Sequence, residues 1–264
     1  LAEGILDRFK LDGQVAVVTG SGRGIGRGIA LALAEAGADV VVTARRTHEL
    51  EAVADQIRSR GRRVVVHPGD LRTGLSDELA DRAVAELGRL DIWVNNAGGS
   101  DETSVQPLAT TPDETFRSFL DLNLFAAFQG ARAAAKHVSE GGSIINIASG
   151  AGMRAAPNTG AYGAAKAGLL NLTFTMAAEL APRRIRVNAI SPGMIPTEAF
   201  FEVLRFTEND LPRLASHVPL GRLGTPEDIG AAVVFLASPA ASWITGQNLL
   251  ISGGREGGRS VEDR

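Results

Sequence analysis

The chain has 264 residues, 44% of them apolar, with a formal charge of −3 and no cysteine, enough for one α/β domain spanning 1–264, and no linker composition divides it. The lack of cysteine excludes disulfides, thiolate ligands and a cysteine nucleophile, and His48, His67, His137 and His217 are too scattered for a helical metal motif, so no metal site is expected. Near-neutral charge argues against nucleic acid, the longest apolar runs fall short of the ~18 residues of a membrane span, and residues 1–8 lack a signal-like core, so a cytoplasmic protein is expected.

Short β-branched runs alternate with Ala/Leu-rich stretches of helical period. Strands are predicted at 15–19, 40–43 and 64–67, with helices at 26–36 and 48–60. The second half continues with strands at 92–94, 143–148, 186–190 and 248–251, and helices at 112–137, 160–180 and 226–237. This alternation predicts an α/β fold: a doubly wound, Rossmann-type parallel sheet of about seven strands, helices on both faces, ligands at the carboxyl ends of the strands.

The run Thr19-Gly20-Ser21-Gly22-Arg23-Gly24-Ile25-Gly26 lies between the first strand and the first helix. In that context a glycine-rich string is a phosphate site: helix N-terminal N–H groups attract the anion and glycines let it approach, which suits a dinucleotide. The second strand ends Thr43-Ala44-Arg45-Arg46, with two bases and no acid to accept a ribose hydroxyl. Arg45, joined by Arg23, suits a 2′-phosphate, so NADP(H) is expected over NAD(H).

Tyr162, the sole tyrosine, stands four residues before Lys166, and on a helix that spacing stacks phenol and ammonium on one face. Moving a phenol from pKa ~10 to neutrality takes about 4 kcal/mol of preference for the phenolate, which an adjacent cation and a cationic cofactor can supply. The pair then exchanges a proton with a carbonyl or alcohol oxygen. The alternative is an ordinary helical Tyr/Lys pair, and its neighbours decide between the two.

Thr19 to Gly26, Asn95-Asn96-Ala97-Gly98, Ser149 with Tyr162 and Lys166, and Pro192-Gly193 together resemble the short-chain dehydrogenase/reductase family, over about residues 9–254. The resemblance implies an oxidoreductase interconverting a secondary alcohol and a ketone, with Asn123, Ser149, Tyr162 and Lys166 as its catalytic set. Ser149 would hold the substrate oxygen beside Tyr162, the proton donor. Lys166 would lower the tyrosine pKa and bind the nicotinamide ribose, and Asn123 would fix a helix irregularity. By the same resemblance Asp70 and Leu71 would contact the adenine, Asn95, Asn96, Ala97 and Gly98 would shape the turn beside the adenine ribose, and Pro192, Gly193, Ile195 and Thr197 would border the nicotinamide.

Where many relatives carry an Asp before a Gly pair, this chain has Ser252-Gly253-Gly254, similar to some bacterial hydroxysteroid dehydrogenases, in a segment expected to lie remote from the pocket. Residues 194–219 hold Phe200, Phe201, Leu204, Phe206 and Leu211, which suit a lid over an apolar, steroid-like or acyl-like substrate, or else only pack that lid. Met153 and Arg154 are further substrate candidates from the 151–160 loop, and the 99–111 loop completes the pocket. The helix at 160–180 carries more apolar surface than one sheet covers, so a homo-oligomer is expected, a homotetramer by the resemblance. The tail 255–264 is either disordered or laid over a partner subunit. A catalytically silent NADP(H)-sensing relative is the alternative function.

Overall fold

The computed structural model describes residues 4–99 and 105–255; the tail from 256 and residues 100–104 of the predicted pocket loop lie outside the described residues, as does the side chain of Leu204. Seven parallel strands form one sheet: β1 (Val15–Thr19), β2 (Asp39–Thr43), β3 (Val64–Val66), β4 (Ile92–Asn95), β5 (Ser143–Ile147), β6 (Arg186–Pro192) and β7 (Asn248–Ile251). Their spatial order is β3-β2-β1-β4-β5-β6-β7. The order reverses between β1 and β4, and there the loops leaving the strands part and open a crevice.

Alternation along the strands feeds two cores. Ala16 and Val18 of β1 face Ile29 and Leu33 of α1 (Gly24–Glu35), Leu50, Val53 and Ile57 of α2 (Thr47–Ser59) and Val233 of the helix Pro226–Ala237. Val15 and Val17 face the opposite layer, with Leu79 of α3 (Ser76–Arg82), Ala131 and Ala134 of α5 (Ala126–His137) and Met176 of α6 (Gly160–Leu180). A period of two with both faces apolar is what a doubly covered parallel strand demands.

A buried polar chain crosses the second layer. Trp93 Nε1 donates to Asn95 Oδ1 (2.7 Å), Asn95 Nδ2 to Asn146 Oδ1 (2.8 Å) and Asn146 Nδ2 to Thr173 Oγ1 on α6 (2.9 Å). Fully satisfied, it fixes α6 against β4 and β5. Asn95 is therefore committed to the core instead of to the turn beside the adenine ribose.

Two elements differ from the sequence reading. The predicted helix at 112–137 is three pieces, α4 (Asp113–Leu120), a π-turn at Asp121–Phe125 and α5. A further helix, α3 with its π-turn Ala83–Leu87, fills the connection before β4, where none was expected. Leu79, Ala80, Ala83 and Leu87 are its buried stripe, at the three- and four-residue spacing of an amphipathic helix. Among the described residues no helix is long and apolar enough to cross a membrane.

Candidate functional site

The crevice at the carboxyl ends of the strands is a cleft of about 620 Å³. Its floor is the turn after β1. Thr19 Oγ1 donates to Val94 O (3.2 Å) and accepts from the N–H groups of Asn96 and Ala97 (3.0 Å each). Asn96 Nδ2 returns hydrogen bonds to the carbonyls of Thr19 (2.8 Å) and Gly20 (3.1 Å), so the turns after β1 and β4 are clamped to one another.

Glycine is obligatory in this clamp. Gly20 has φ +65°, and a methyl group on it would lie 2.8 Å from the Ala97 Cα; one on Gly26 would lie 2.1 Å from Gly20 O. The space so kept opens toward the N-terminus of α1, where unpaired N–H groups and the helix dipole favour an anion. Gly20, Gly22, Arg23, Gly24, Ile25 and Gly26 all line the cleft, as do Arg45, Arg46, Asp70, Leu71, Asn96, Ala97 and Gly98. Ser21 does not: its N–H and side chain bond Thr43 (3.1 Å to the carbonyl, 2.9 Å from the amide), tethering the glycine loop to β2.

The arginines separate on inspection. Arg45 is exposed and makes no hydrogen bond or salt bridge among the described residues. Arg46 pairs with Glu49 (2.7 Å). Arg23, expected to stand with Arg45, is held by Glu202 of α7 (Glu198–Leu204) through two hydrogen bonds of 2.6 and 2.9 Å, with Glu49 also within reach of its charge. Asp70 is likewise engaged, and the Arg72 guanidinium 2.6 Å away holds its carboxyl below the usual range.

The opposite end of the cleft is built by β5 and α6. Ser149 follows β5 and caps a short turn, its Oγ accepting from the Ala151 N–H (3.2 Å). Asn158, at φ 63°, then turns the chain into α6, which places Tyr162 in its first turn and Lys166 one turn later. The Tyr162 hydroxyl is hydrogen-bonded to Ser149. Lys166 Nζ donates to Ile147 O (2.9 Å) and lies 5.6 Å from the Tyr162 ring centroid.

Asn123 sits behind this group, in the π-turn. Its Oδ1 accepts from the Gly99 N–H (2.8 Å) while Nδ2 donates to Gly99 O (2.9 Å) and Phe119 O (3.2 Å). A π-turn disturbs the regular ladder, and the carboxamide satisfies both the helix carbonyl and the loop. A methyl group on Gly98 would come within 2.7 Å of Asn123 Oδ1 and 3.2 Å of Lys166 Nζ, so the three positions form one packed unit.

Burial sets the proton affinities. It pushes the Tyr162 hydroxyl above its ordinary value, the hydrogen bond from Ser149 pulling the other way. It lowers Lys166 from 10.5 to about 8.

Pro192, Gly193, Ile195 and Thr197 form a further wall of the cleft, and the Thr197 hydroxyl caps α7 by accepting from the Phe200 N–H (3.3 Å). Ser252 is not remote: a methyl group on Gly193 would meet its Cα at 2.8 Å, placing it directly behind that wall. Phe200 lines the cleft, whereas Phe201 and Phe206 pack against it with ring centroids at 5.6 and 5.5 Å. Met153 and Arg154 lie outside the cleft; Met153 Sδ accepts from Asn248 Nδ2 (3.2 Å) and Arg154 borders a separate shallow groove. Sequence reasoning passed over Glu49, Phe119 and Leu122, all in the cleft wall. Thr43 Oγ1 is buried without a hydrogen-bond partner among the described residues.

A glycine cradle at a helix N-terminus, a partnerless buried hydroxyl at the end of β2 and an unpaired guanidinium beside it fit a dinucleotide. The architecture and site define a Rossmann-type oxidoreductase. A family model described as enoyl-(acyl carrier protein) reductase matches residues 20–256. An uncharacterized oxidoreductase of Mycobacterium tuberculosis is 46% identical, over 95% of this chain and 95% of its own length. The 7alpha-hydroxysteroid dehydrogenase of Escherichia coli is 38% identical, over 94% of this chain and 96% of its own. Among solved structures, a putative short-chain alcohol dehydrogenase from Sinorhizobium meliloti superposes with a TM-score of 0.87 at 39% identity, covering 94% of this chain and 98% of that one. A 7 alpha-hydroxysteroid dehydrogenase complexed with NADH and 7-oxo glycochenodeoxycholic acid gives 0.87 at 38%, covering 94% and 96%. The chain belongs to the short-chain dehydrogenase/reductase family, an NAD(P)-dependent oxidoreductase acting on alcohol and ketone groups.

The depressed Lys166 makes stability depend on pH. Between pH 8 and 10.5 the unfolded chain binds more protons at this residue than the fold does, so its contribution to stability rises with pH across that window. Relative to Lys166→Met, the wild type is expected to gain roughly 3 kcal/mol over that span, measured by denaturant unfolding. A wild-type-minus-variant difference that stays flat with pH contradicts the assignment.

Proposed function

We propose that the protein interconverts a secondary alcohol and a ketone with NADP(H), using Tyr162 as general acid and base. The observation that carries this reading is the contiguous group of Tyr162 bonded to Ser149 and Lys166 bonded to Ile147 O, within the cleft that also holds the glycine cradle. When bound, the nicotinamide supplies or accepts the hydride at the substrate carbon. In the reducing direction, Ser149 Oγ donates a hydrogen bond to the carbonyl oxygen and the Tyr162 hydroxyl delivers its proton to that oxygen. The alcohol O–H forms as the phenol O–H breaks, and the phenolate left behind is stabilised by the charge of Lys166. Oxidation reverses both transfers. Asn123 acts through position, holding the Gly99 backbone and filling, with the lysine, the space beside Gly98.

Preference for NADP(H) is supported by Ala44 at the end of β2, where an acid would accept the ribose hydroxyl, and by the unpaired Arg45 next to it. An apolar substrate is supported by Phe119, Leu122, Met194 and Phe200 around the mouth and by the hydroxysteroid dehydrogenase relatives. Assembly through α6 and the π-turn leading into α5, as a homotetramer, is supported by Phe174 and Phe125, which stand 46% and 52% exposed there. No feature of the site favours the silent sensor.

Tyr162→Phe is expected to bind NADPH as the wild type does and to lose about 10²- to 10⁴-fold in kcat, read from NADPH absorbance with a panel of ketones. Undiminished turnover removes Tyr162 from the proton transfer. Arg45→Asp is expected to weaken NADPH binding by about tenfold or more and to favour NADH, read as the ratio of kcat/KM for the two cofactors. An unchanged ratio clears Arg45 of phosphate recognition.

A further inference from the structure

Although β2 ends without an acid, a carboxylate stands in the same corner. It is that of Glu49, from the first turn of α2. A methyl group on Gly22 would lie 3.0 Å from Glu49 Oε2 and 3.3 Å from the Ala44 Cβ, so the carboxylate shares this corner with the glycine loop and the end of the strand. Arg46 holds it there through a 2.7 Å contact, and the Glu49 side chain is 21% exposed against 48% for Arg46. Arg45, with no partner among the described residues, borders the same corner, and so does Thr43 with its unpaired hydroxyl.

An acid in a helix's first turn is ordinary, since it complements the macrodipole. That accounts for a glutamate at this position of α2 but not for an oxygen turned in against the glycine loop, where a solvated rotamer would serve the dipole equally well. A carboxylate in this place accepts a hydrogen bond from a ribose hydroxyl and repels a phosphate attached at the same carbon.

We propose that Glu49 is a specificity-determining residue that replaces, from α2, the acid missing at Ala44. It accepts the 2′-hydroxyl of the unphosphorylated cofactor and opposes the 2′-phosphate that Arg45 attracts. The protein therefore takes both cofactors, and its preference for NADP(H) is the surplus of Arg45 over Glu49, with Arg46 screening the carboxylate. This rests on the assignment of the cleft as a dinucleotide site and of Arg45 as its phosphate ligand.

The test is calorimetric titration of the substrate-free protein with NADP⁺ and with NAD⁺, for the wild type, Glu49→Gln and Glu49→Ala. Both variants lack the charge, and the glutamine keeps the side-chain shape. The expected result is NADP⁺ binding tightened about three- to tenfold and NAD⁺ binding weakened by a similar factor in each variant. Equal shifts for the two cofactors, or none, overturn the proposal. Arg45→Gln, titrated in parallel, is expected to weaken NADP⁺ alone. If it weakens neither while Glu49→Gln still divides the cofactors, the phosphate assignment of Arg45 falls and the role of Glu49 stands.

Discussion

The site depends on one hydrogen bond made by a buried ammonium. Lys166 is 3% exposed, and its Nζ is held 2.9 Å from the Ile147 carbonyl at the last residue of β5. That bond ties α6 to the end of the sheet, and with it the position of Tyr162 one turn away. It also retains a charge where burial disfavours one, a cost of the kind that functional sites carry and cores do not. Around it everything is close: Gly98 has no room for a side chain because Asn123 and Lys166 fill that space. In the proposed chemistry the lysine has two uses, fixing the tyrosine's place and offering positive charge to the phenolate.

The cofactor end of the cleft is organised on a different principle. Thr19 and Asn96 lock the turns after β1 and β4 together, and glycine at 20 and 26 keeps the resulting hollow free of side chains. Charge, in contrast, is unevenly placed. Arg23 is held by Glu202, Arg46 by Glu49 and Asp70 by Arg72, leaving Arg45 as the cation of this corner with no ion pair among the described residues. The three pairs neutralise charges that composition alone would have counted as available for a phosphate.

Much of this was legible in the chain because it is local. The four-residue step from Tyr162 to Lys166 becomes a shared helix face by geometry alone, and a glycine string between strand and helix becomes a cradle in the same way. Strand positions followed from β-branched runs, and the helices at 160–180 and 226–237 have the bounds the sequence predicts. What the sequence could not show is long-range. Arg23 finds its partner 179 residues away, and Ser21 turns to Thr43 at the end of the neighbouring strand. Asn95 is drawn into a hydrogen-bonded chain with Trp93, Asn146 and Thr173, a consequence of strand register. Glu49 reads as a routine first-turn acid until Gly22 is seen beside it. The helix at 76–87 is a different failure, since its apolar stripe was present in the sequence and passed over.

Because Tyr162 is the sole tyrosine, its ionisation can be followed directly in the intact protein by the ultraviolet absorbance of the phenolate. The structure places the phenol above its ordinary 10.0 in the cofactor-free protein, through burial. The proposed chemistry requires that midpoint to fall when NADP⁺ supplies a cationic ring beside it. A phenol whose midpoint does not move when NADP⁺ is added contradicts the account, wherever it titrates without cofactor.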